Sequence, residues 1–344
     1  MKSNSLKTAA KKSFIALKDP YYSVKEVFPQ IIDYIDEDEE YFYTGVKDVP
    51  QIPNELLTHL KNKGNYLLHT LDNHSMGSRA VDTQRINPIS GRLMTGSSSG
   101  TAINVLTGIN DLGIGTDGGG SVLAPAISVN LFGFISPLIC KEYLEPFVKK
   151  STDNISFTPS IGYITRSYSE MKRAVYVTLD LPETTKKKMN IGLVNKDSIN
   201  LSKLNEQFTK IELLKSDLLG PRKFLINFLV DTLTDFDFII SEEGPIDFYG
   251  LGDSVLGHFD DKTKIEQEHG NKRLVRVVNM VEATAISIPK SQFASAYTLI
   301  CQSSPNKIGK MIDFAENLIA PENQLIDKYF RSFDHYFSEG FFKL

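Results

Sequence analysis

The stretch Thr95–Pro137, TGSSSGTAINVLTGINDLGIGTDGGGSVLAPAISVNLFGFISP, decides how the rest of the chain is read. It sets a serine triplet, an apolar run with helical spacing and a Gly-Thr-Asp-Gly-Gly-Gly-Ser segment close together. Gly118, Gly119 and Gly120, followed by Ser121, present successive backbone N–H groups with almost no side chain in the way. Glycine reaches backbone conformations closed to other residues, so such a run can fold into an anion-binding nest. A serine ending that nest is placed to attack a carbonyl while the N–H groups hold the oxyanion. Residues Gly113 to Gly118 also satisfy G-x-G-x-x-G. A dinucleotide site, however, needs a strand before it, a helix after it and an acid about 20 residues on. Here a turn-like Gly108-Ile109-Asn110-Asp111 precedes, more glycine follows, and the next acid is Glu142. The nucleotide reading is therefore set aside, and a glycine-rich structural loop is the plainer competitor to a serine site.

Three segments together decide against that competitor. Gly96-Ser97-Ser98-Ser99-Gly100, Gly115-Thr116-Asp117-Gly118-Gly119-Gly120-Ser121 with Pro125, and Phe132-Gly133 resemble the amidase signature family, which hydrolyses amides with a Ser–cis-Ser–Lys triad. Ser121 matches the family's nucleophile and Ser97 its cis-serine. The two lie 24 residues apart, the family's own spacing, and two motifs at one fixed interval discriminate far better than either alone. The resemblance implies that the N–H groups of Gly118, Gly119, Gly120 and Ser121 form the oxyanion hole, with Ser98, Thr116 and Asp117 completing the substrate site. Two positions depart from the family. Leu123 stands where an arginine is usual, and Gly133-Phe134-Ile135-Ser136-Pro137 lacks the lysine of the family's G-L-K-P-T. With no arginine at 123, the expected substrate is a neutral amide, small or extended.

The family carries its catalytic lysine on a strand upstream of the serines, and Lys47 in Tyr43-Thr44-Gly45-Val46-Lys47-Asp48 is the best match. The competing reading is a surface lysine on a short strand. The interval from Lys47 to Ser97 is 50 residues. That is about twenty fewer than is usual in the family, a deletion that a surface loop tolerates at little cost in closure entropy. As a base, the lysine must be neutral, which from its ordinary pKa costs about 4–5 kcal/mol at pH 7 unless the site lowers it. Burial lowers it, and Val46 and Val49 suit a buried strand.

Composition bounds the rest. At 344 residues the chain can bury a large core, and its net charge of −4 implies no nucleic-acid or anionic-membrane partner. No run approaches 18 apolar residues, and Lys11, Lys12 and Lys18 interrupt any signal-peptide core. The basic N-terminus (Lys2, Lys7, Lys11, Lys12) reads as solvated. Cys140 and Cys301 read as buried thiols of a reducing cytoplasm. Six scattered histidines, with His69 and His74 five apart, form no zinc pattern, and no cofactor is implied. His74 reads as a hydrogen-bonded structural histidine near the serines.

Along the chain, Ser23-Val24-Lys25-Glu26 followed by Val27, Ile31, Ile32 and Ile35 predicts a capped helix, with Pro29 at its start or at a kink. Leu56, Leu57 and Leu60 predict a helix closed by Gly64 as its C′ residue. Tyr66–His69, Met189–Val194 and Phe236–Ile240 read as strands, and residues 200–235 as helical with Pro221 near a helix start. The basic run Lys186–Lys188 reads as a solvated turn. The polar, glycine-containing stretch 246–275 reads as a loop or lid, and Ile308, Met311, Ile312, Ala315 and Leu318 as the core stripe of a helix.

The expected architecture is a single large α/β domain over residues 21–330, with an N-terminal extension (1–20) and an aromatic C-terminal tail (331–344). The resemblance implies a mixed, twisted central sheet flanked by helices on both faces. It implies an amidohydrolase working through a Ser121 acyl-enzyme, with Ser97 as relay and Lys47 as base. Two other readings stand beside it: an ammonia-delivering component of the amidotransferase A type with a partner chain, and a catalytically degraded scaffold. The tail is suited to docking on a partner chain or on a second copy in a homodimer.

Overall fold

The computed structural model describes residues 5–36, 38–182, 188–195, 204, 206–321 and 323–330. Eleven strands form one mixed sheet. In chain order they are β1 (Val24–Val27), β2 (Phe42–Lys47), β3 (Tyr66–Asp72), β4 (Leu112–Asp117), β5 (Phe132–Ser136), β6 (Ser160–Thr165), β7 (Asn190–Val194), β8 (Gln207–Ile211), β9 (Phe238–Glu243), β10 (Ala283–Pro289) and β11 (Ala296–Gln302). Their spatial order is β1-β3-β2-β4-β6-β5-β10-β11-β9-β7-β8. Strand β2 runs parallel to β3 and β4, the middle of the sheet is antiparallel from β4 to β9, and β9-β7-β8 is parallel again. This is the expected α/β architecture.

Both faces of the sheet are covered, because successive strand residues feed opposite cores. On one face Ile114, Phe134, Ile240, Leu299 and Cys301 pack with helices Asn54–Gly64, Tyr168–Thr178 and Pro305–Ala315. On the other, Ile135, Ile239 and Ile300 pack with helices Ser99–Leu106, Leu123–Ser128 and Arg222–Thr232. The stripe Ile308, Met311, Ile312, Ala315 and Leu318 is buried as expected. Cys301 is buried and Cys140 half-buried, both as thiols. Among the described residues no helix is long and apolar enough to cross a membrane.

Several local expectations are overturned. The helix expected from Ser23 is instead strand β1, antiparallel to β3, followed by a 3-10 turn at Pro29–Tyr34. β-Branched Val24 and Val27 join the sheet edge, and proline opens the tighter turn, where its missing N–H is not needed. The Asn54–Gly64 helix includes Gly64, and its left-handed C-cap is Asn65 at φ 58°. Residues 207–211 are strand β8, with helices at Lys215–Leu219 and Arg222–Thr232 following, the latter after Pro221 as expected. The stretch 246–275 holds a helix, Asp261–His269, capped by the Asp260 side chain on the Thr263 N–H. Lys186, Lys187 and the tail 331–344 lie outside the described residues.

The N-terminal segment is built into the domain. Helix Ser5–Leu17 buries Ala9, Lys12, Ile15 and Ala16. Lys12, expected to be solvated, is buried: its Nζ donates to Asp111 Oδ1 and to the Gly108 carbonyl, each at 2.8 Å. The other Asp111 oxygen accepts from the Tyr43 N–H at 2.9 Å, which ties the helix to β2. Lys12→Ala is therefore expected to destabilise the protein by about 1–3 kcal/mol, because it leaves the carboxylate and the carbonyl unpaired. Urea denaturation monitored by circular dichroism checks this, and an unchanged midpoint would mean the helix adds nothing to the fold.

Candidate active site

The parallel pairing of β2 with β4 builds the site. It sets Thr44 against Leu112, Gly45 against Gly113 and Val46 against Ile114. Lys47, the last residue of β2, then lies beside the end of β4, where Thr116 and Asp117 lead into the glycine loop. Lys47 is 1% exposed. Its Nζ donates to Ser97 Oγ at 2.7 Å and to Thr116 Oγ1 at 3.0 Å. Burial is the main cause that lowers the Lys47 pKa to about 7, with the nearby charge of Lys149 adding to it and that of Asp117 opposing it.

Ser97 is buried, two residues ahead of the Ser99–Leu106 helix. The cis peptide expected before it is absent, since the one cis bond among the described residues is Gly244–Pro245. Gly96 makes the turn instead, at φ +74°, a conformation that glycine adopts without steric cost. The Gly96 N–H donates to the Ala80 carbonyl at 2.8 Å, and the Ser97 carbonyl accepts from the Ser75 N–H at 3.2 Å, so both flanks of the turn are satisfied.

Asp117 organises the glycine loop from below. Its carboxylate is fully buried and accepts from the N–H groups of Gly120 at 2.7 Å, Val122 at 2.6 Å and Leu123 at 3.3 Å. Burial raises its pKa and these backbone donors pull it back. Gly120, expected among the oxyanion donors, thus turns its N–H inward to Asp117. The Ser121 N–H adds to the backbone donors that pull the Asp117 pKa back. Gly118 and Gly119 remain on the cleft wall with Ser121.

Lys47, Ser97, Thr116, Asp117, Gly118, Gly119 and Ser121 come together around one cleft of about 360 Å³. Thr116 serves Lys47, and Asp117 serves the loop. Ser98, expected at the substrate, is fully buried with its Oγ against Gly115 and off the cleft wall. Its backbone N–H donates to the Ser121 carbonyl at 3.1 Å, joining the two serine segments. Both histidines near the serines are structural. His69 is buried, its Nδ1 on Asn110 Oδ1 at 2.9 Å, and burial lowers its pKa to about 4. His74 bonds the Ser75 carbonyl at 2.9 Å through Nδ1.

Sequence reasoning missed the far side of the cleft. Lys149 and Lys150, on the small hairpin Lys149–Lys150/Ser156–Phe157, line it, as do Arg222, Lys272 and Arg276. Phe157 of the same hairpin covers Gly118. The one local signal is the adjacent pair Lys149-Lys150, whose place beside the serines depends on the fold.

A model of the amidase family, described as Amidase, matches residues 55–137. The chain is 34% identical over 95 residues to Amidase 1 of Oryza sativa subsp. japonica, a match covering 27% of this chain and 20% of that relative. The structure is similar to that of a 6-aminohexanoate cyclic dimer hydrolase complexed with substrate, at a TM-score of 0.61 and 12% identity over 95% of this chain and 96% of the other. It is also similar to the A-type component of a glutamyl-tRNA(Gln) amidotransferase from Thermotoga maritima, at a TM-score of 0.60 and 14% identity over 88% of this chain and 90% of that one. The likeness to the amidase family is thus carried by residues 55–137, and the likeness to the solved structures is one of fold.

A lysine whose folded pKa lies near 7 against 10.5 ordinarily binds fewer protons than the unfolded chain between those values. Folding is penalised fully below pH 7, by on the order of 5 kcal/mol, and the penalty fades as pH rises towards 10.5. The stability of Lys47→Met relative to wild type should therefore be highest below pH 7 and fall steadily across that window. Denaturant titrations at several pH values test it, and a difference independent of pH would place a charged lysine in the folded protein.

Proposed function

We propose that this chain is an amidohydrolase that cleaves a carboxamide through an acyl-enzyme on Ser121. The observation that carries the reading is the 2.7 Å contact from the buried Lys47 Nζ to Ser97 Oγ, at a cleft that Ser121 also lines. Neutral Lys47 accepts the Ser97 proton as Ser97 takes that of Ser121. Ser121 Oγ then bonds to the carbonyl carbon, and the N–H groups of Gly118 and Gly119 face the oxygen as it gains charge. The C–N bond breaks, and the amine leaves with a proton returned through Ser97. Water, deprotonated along the same path, hydrolyses the ester and restores Ser121. One oxyanion donor in such a site is typically worth about 3 kcal/mol.

A second reading has its own support. The likeness to an amidotransferase component of the A type spans nearly all of both chains, so an ammonia-delivering role with a partner chain is the alternative. The degraded-scaffold reading draws on the short Lys47–Ser97 interval and on Leu123. Labelling with a fluorophosphonate, read by intact mass, separates the two catalytic readings from the scaffold, and copurification of a second chain would favour the amidotransferase reading. A single adduct on wild type, lost in both Ser121→Ala and Lys47→Ala, is the result expected of the enzyme. Loss in Ser121→Ala alone would assign another base, and no adduct together with no amide turnover would favour the scaffold.

The pH dependence follows from the base. Only neutral Lys47 can accept a proton, so kcat/KM should rise about tenfold per unit below pH 7 and level off above it. A profile flat from pH 5 to 9 would remove Lys47 from the proton path.

A further inference from the structure

The wall of the cleft is cationic in a chain whose net charge is −4. Beside Lys47 it carries Arg79, Lys149, Lys150, Arg222, Lys272 and Arg276, against the single carboxylate of Asp117, which is occupied by backbone donors. Three of these cations already have carboxylate partners: Arg79 with Asp253 at 2.6 Å, Lys272 with Asp247 at 2.7 Å and Arg222 with Asp153 at 3.2 Å. Arg276 has none among the described residues, and Arg222 uses only one side of its guanidinium.

Arg276 is held in place without an ion pair among the described residues. Its Nε donates to the Arg273 carbonyl at 3.2 Å, and its Nη2 to the carbonyls of Leu218 and Gly220, each at 3.0 Å. Neutral carbonyls fix the group, no carboxylate among the described residues is in ion-pair contact with it, and Nη1 has no hydrogen-bond partner there. Arg222 pairs through Nε with Asp153 at 3.2 Å and through Nη2 with Thr152 Oγ1 at 3.0 Å. Its Nη1 also has no hydrogen-bond partner there, and it lies 3.8 Å from where a Cβ on Gly119 would stand. Two guanidinium corners, both preorganised by other bonds, therefore stand open beside the glycine loop. Burial and the neighbouring Arg222 lower the Arg276 pKa to about 10, which leaves it a cation at neutral pH.

Taking the chain as the amidohydrolase proposed above, we propose that its substrate bears a carboxylate near the scissile amide, bound by Arg276 with Arg222 beside it. A planar carboxylate accepts in parallel from guanidinium N–H groups, and such charge-assisted pairs are the strong ones. A neutral amide would leave two half-buried cations side by side, with the Asp153 pair and more distant carboxylates alone to offset their repulsion. The cationic wall thus supplies from other elements what Leu123 withholds, against the neutral amide expected from that position. The adjoining cavity limits the size of the anion. It shares Arg222, Lys272 and Arg276 but adds four carboxylates, Asp153, Asp260, Asp261 and Glu268, against one further cation, Lys264. A long polyanion would run into these carboxylates, whereas a small molecule with one carboxylate ends before them.

The test uses the full chain and the monoamides malonamate, succinamate and glutaramate, each against the uncharged amide of matched length. Ammonia release should favour one of the acids over its neutral counterpart by about thirtyfold or more in kcat/KM, and Arg276→Gln should cut that ratio at least tenfold, chiefly through KM. Arg276→Lys should recover part of it. Calorimetry on Ser121→Ala should show the preferred acid binding and its neutral counterpart not binding, with the double variant carrying Arg276→Gln losing the acid. Arg222→Gln, read in the same way, keeps the test decisive if Arg276→Gln fails to fold. Neutral amides turned over as well as the acids, or acid binding indifferent to both arginine variants, would overturn the proposal. Absence of any turnover and of any fluorophosphonate adduct would sink the amidohydrolase reading alone, since the calorimetry still decides whether the anion site exists.

Discussion

The site depends on a carboxylate taken out of water. Asp117 is fully buried, and its charge is held by backbone N–H groups rather than by a cation. A buried carboxylate without donors costs several kcal/mol, so the chain must curl around it. That requirement shapes the loop from Gly118 to Leu123. Gly120 meets it at φ +94°, which a side chain would resist. Turning these N–H groups inward leaves Gly118, Gly119 and Ser121 at the cleft. The same negative charge opposes the loss of the Lys47 proton, and burial outweighs it.

Much of this was legible in the sequence because it is encoded locally. The serine spacing, the glycine run and the strand lysine are short patterns whose chemistry admits few readings. Lys47 was assigned despite a short interval to Ser97, and the structure brings the two together because β2 and β4 are neighbours in the sheet. The missing length therefore has no bearing on the contact. Other features depended on distant partners. Nothing in Ser23–Ile35 announces a sheet edge until β3 is there to pair with it, so a capping pattern read as a helix. Lys12 looked solvated because its partner Asp111 lies far along the chain. The cationic wall is the clearest case. Lys149, Arg222 and Arg276 come from three separate elements, and no window of sequence holds them together.

The departures from the family pattern take on a common sense in the fold. Leu123 is fully buried in the core beneath the glycine loop, where a charged side chain would need a partner. Positive charge is presented to the cleft from elsewhere, by a hairpin, a helix start and a 3-10 turn that carry no signature of their own. Loop positions of this kind change more freely than strand positions, because less of the core depends on them. Substrate choice can then drift while the Lys47–Ser97 pair stays in place.

The hydrogen bond from the Ser98 amide to the Ser121 carbonyl has a mechanical consequence. It crosses between two loops that leave different strands and would otherwise fluctuate independently. Stitched at the main chain, they behave as one rigid plate: a breathing motion of the sheet carries both hydroxyls together. The separation of Ser97 and Ser121 is thereby coupled to one main-chain contact rather than to the wider scaffold.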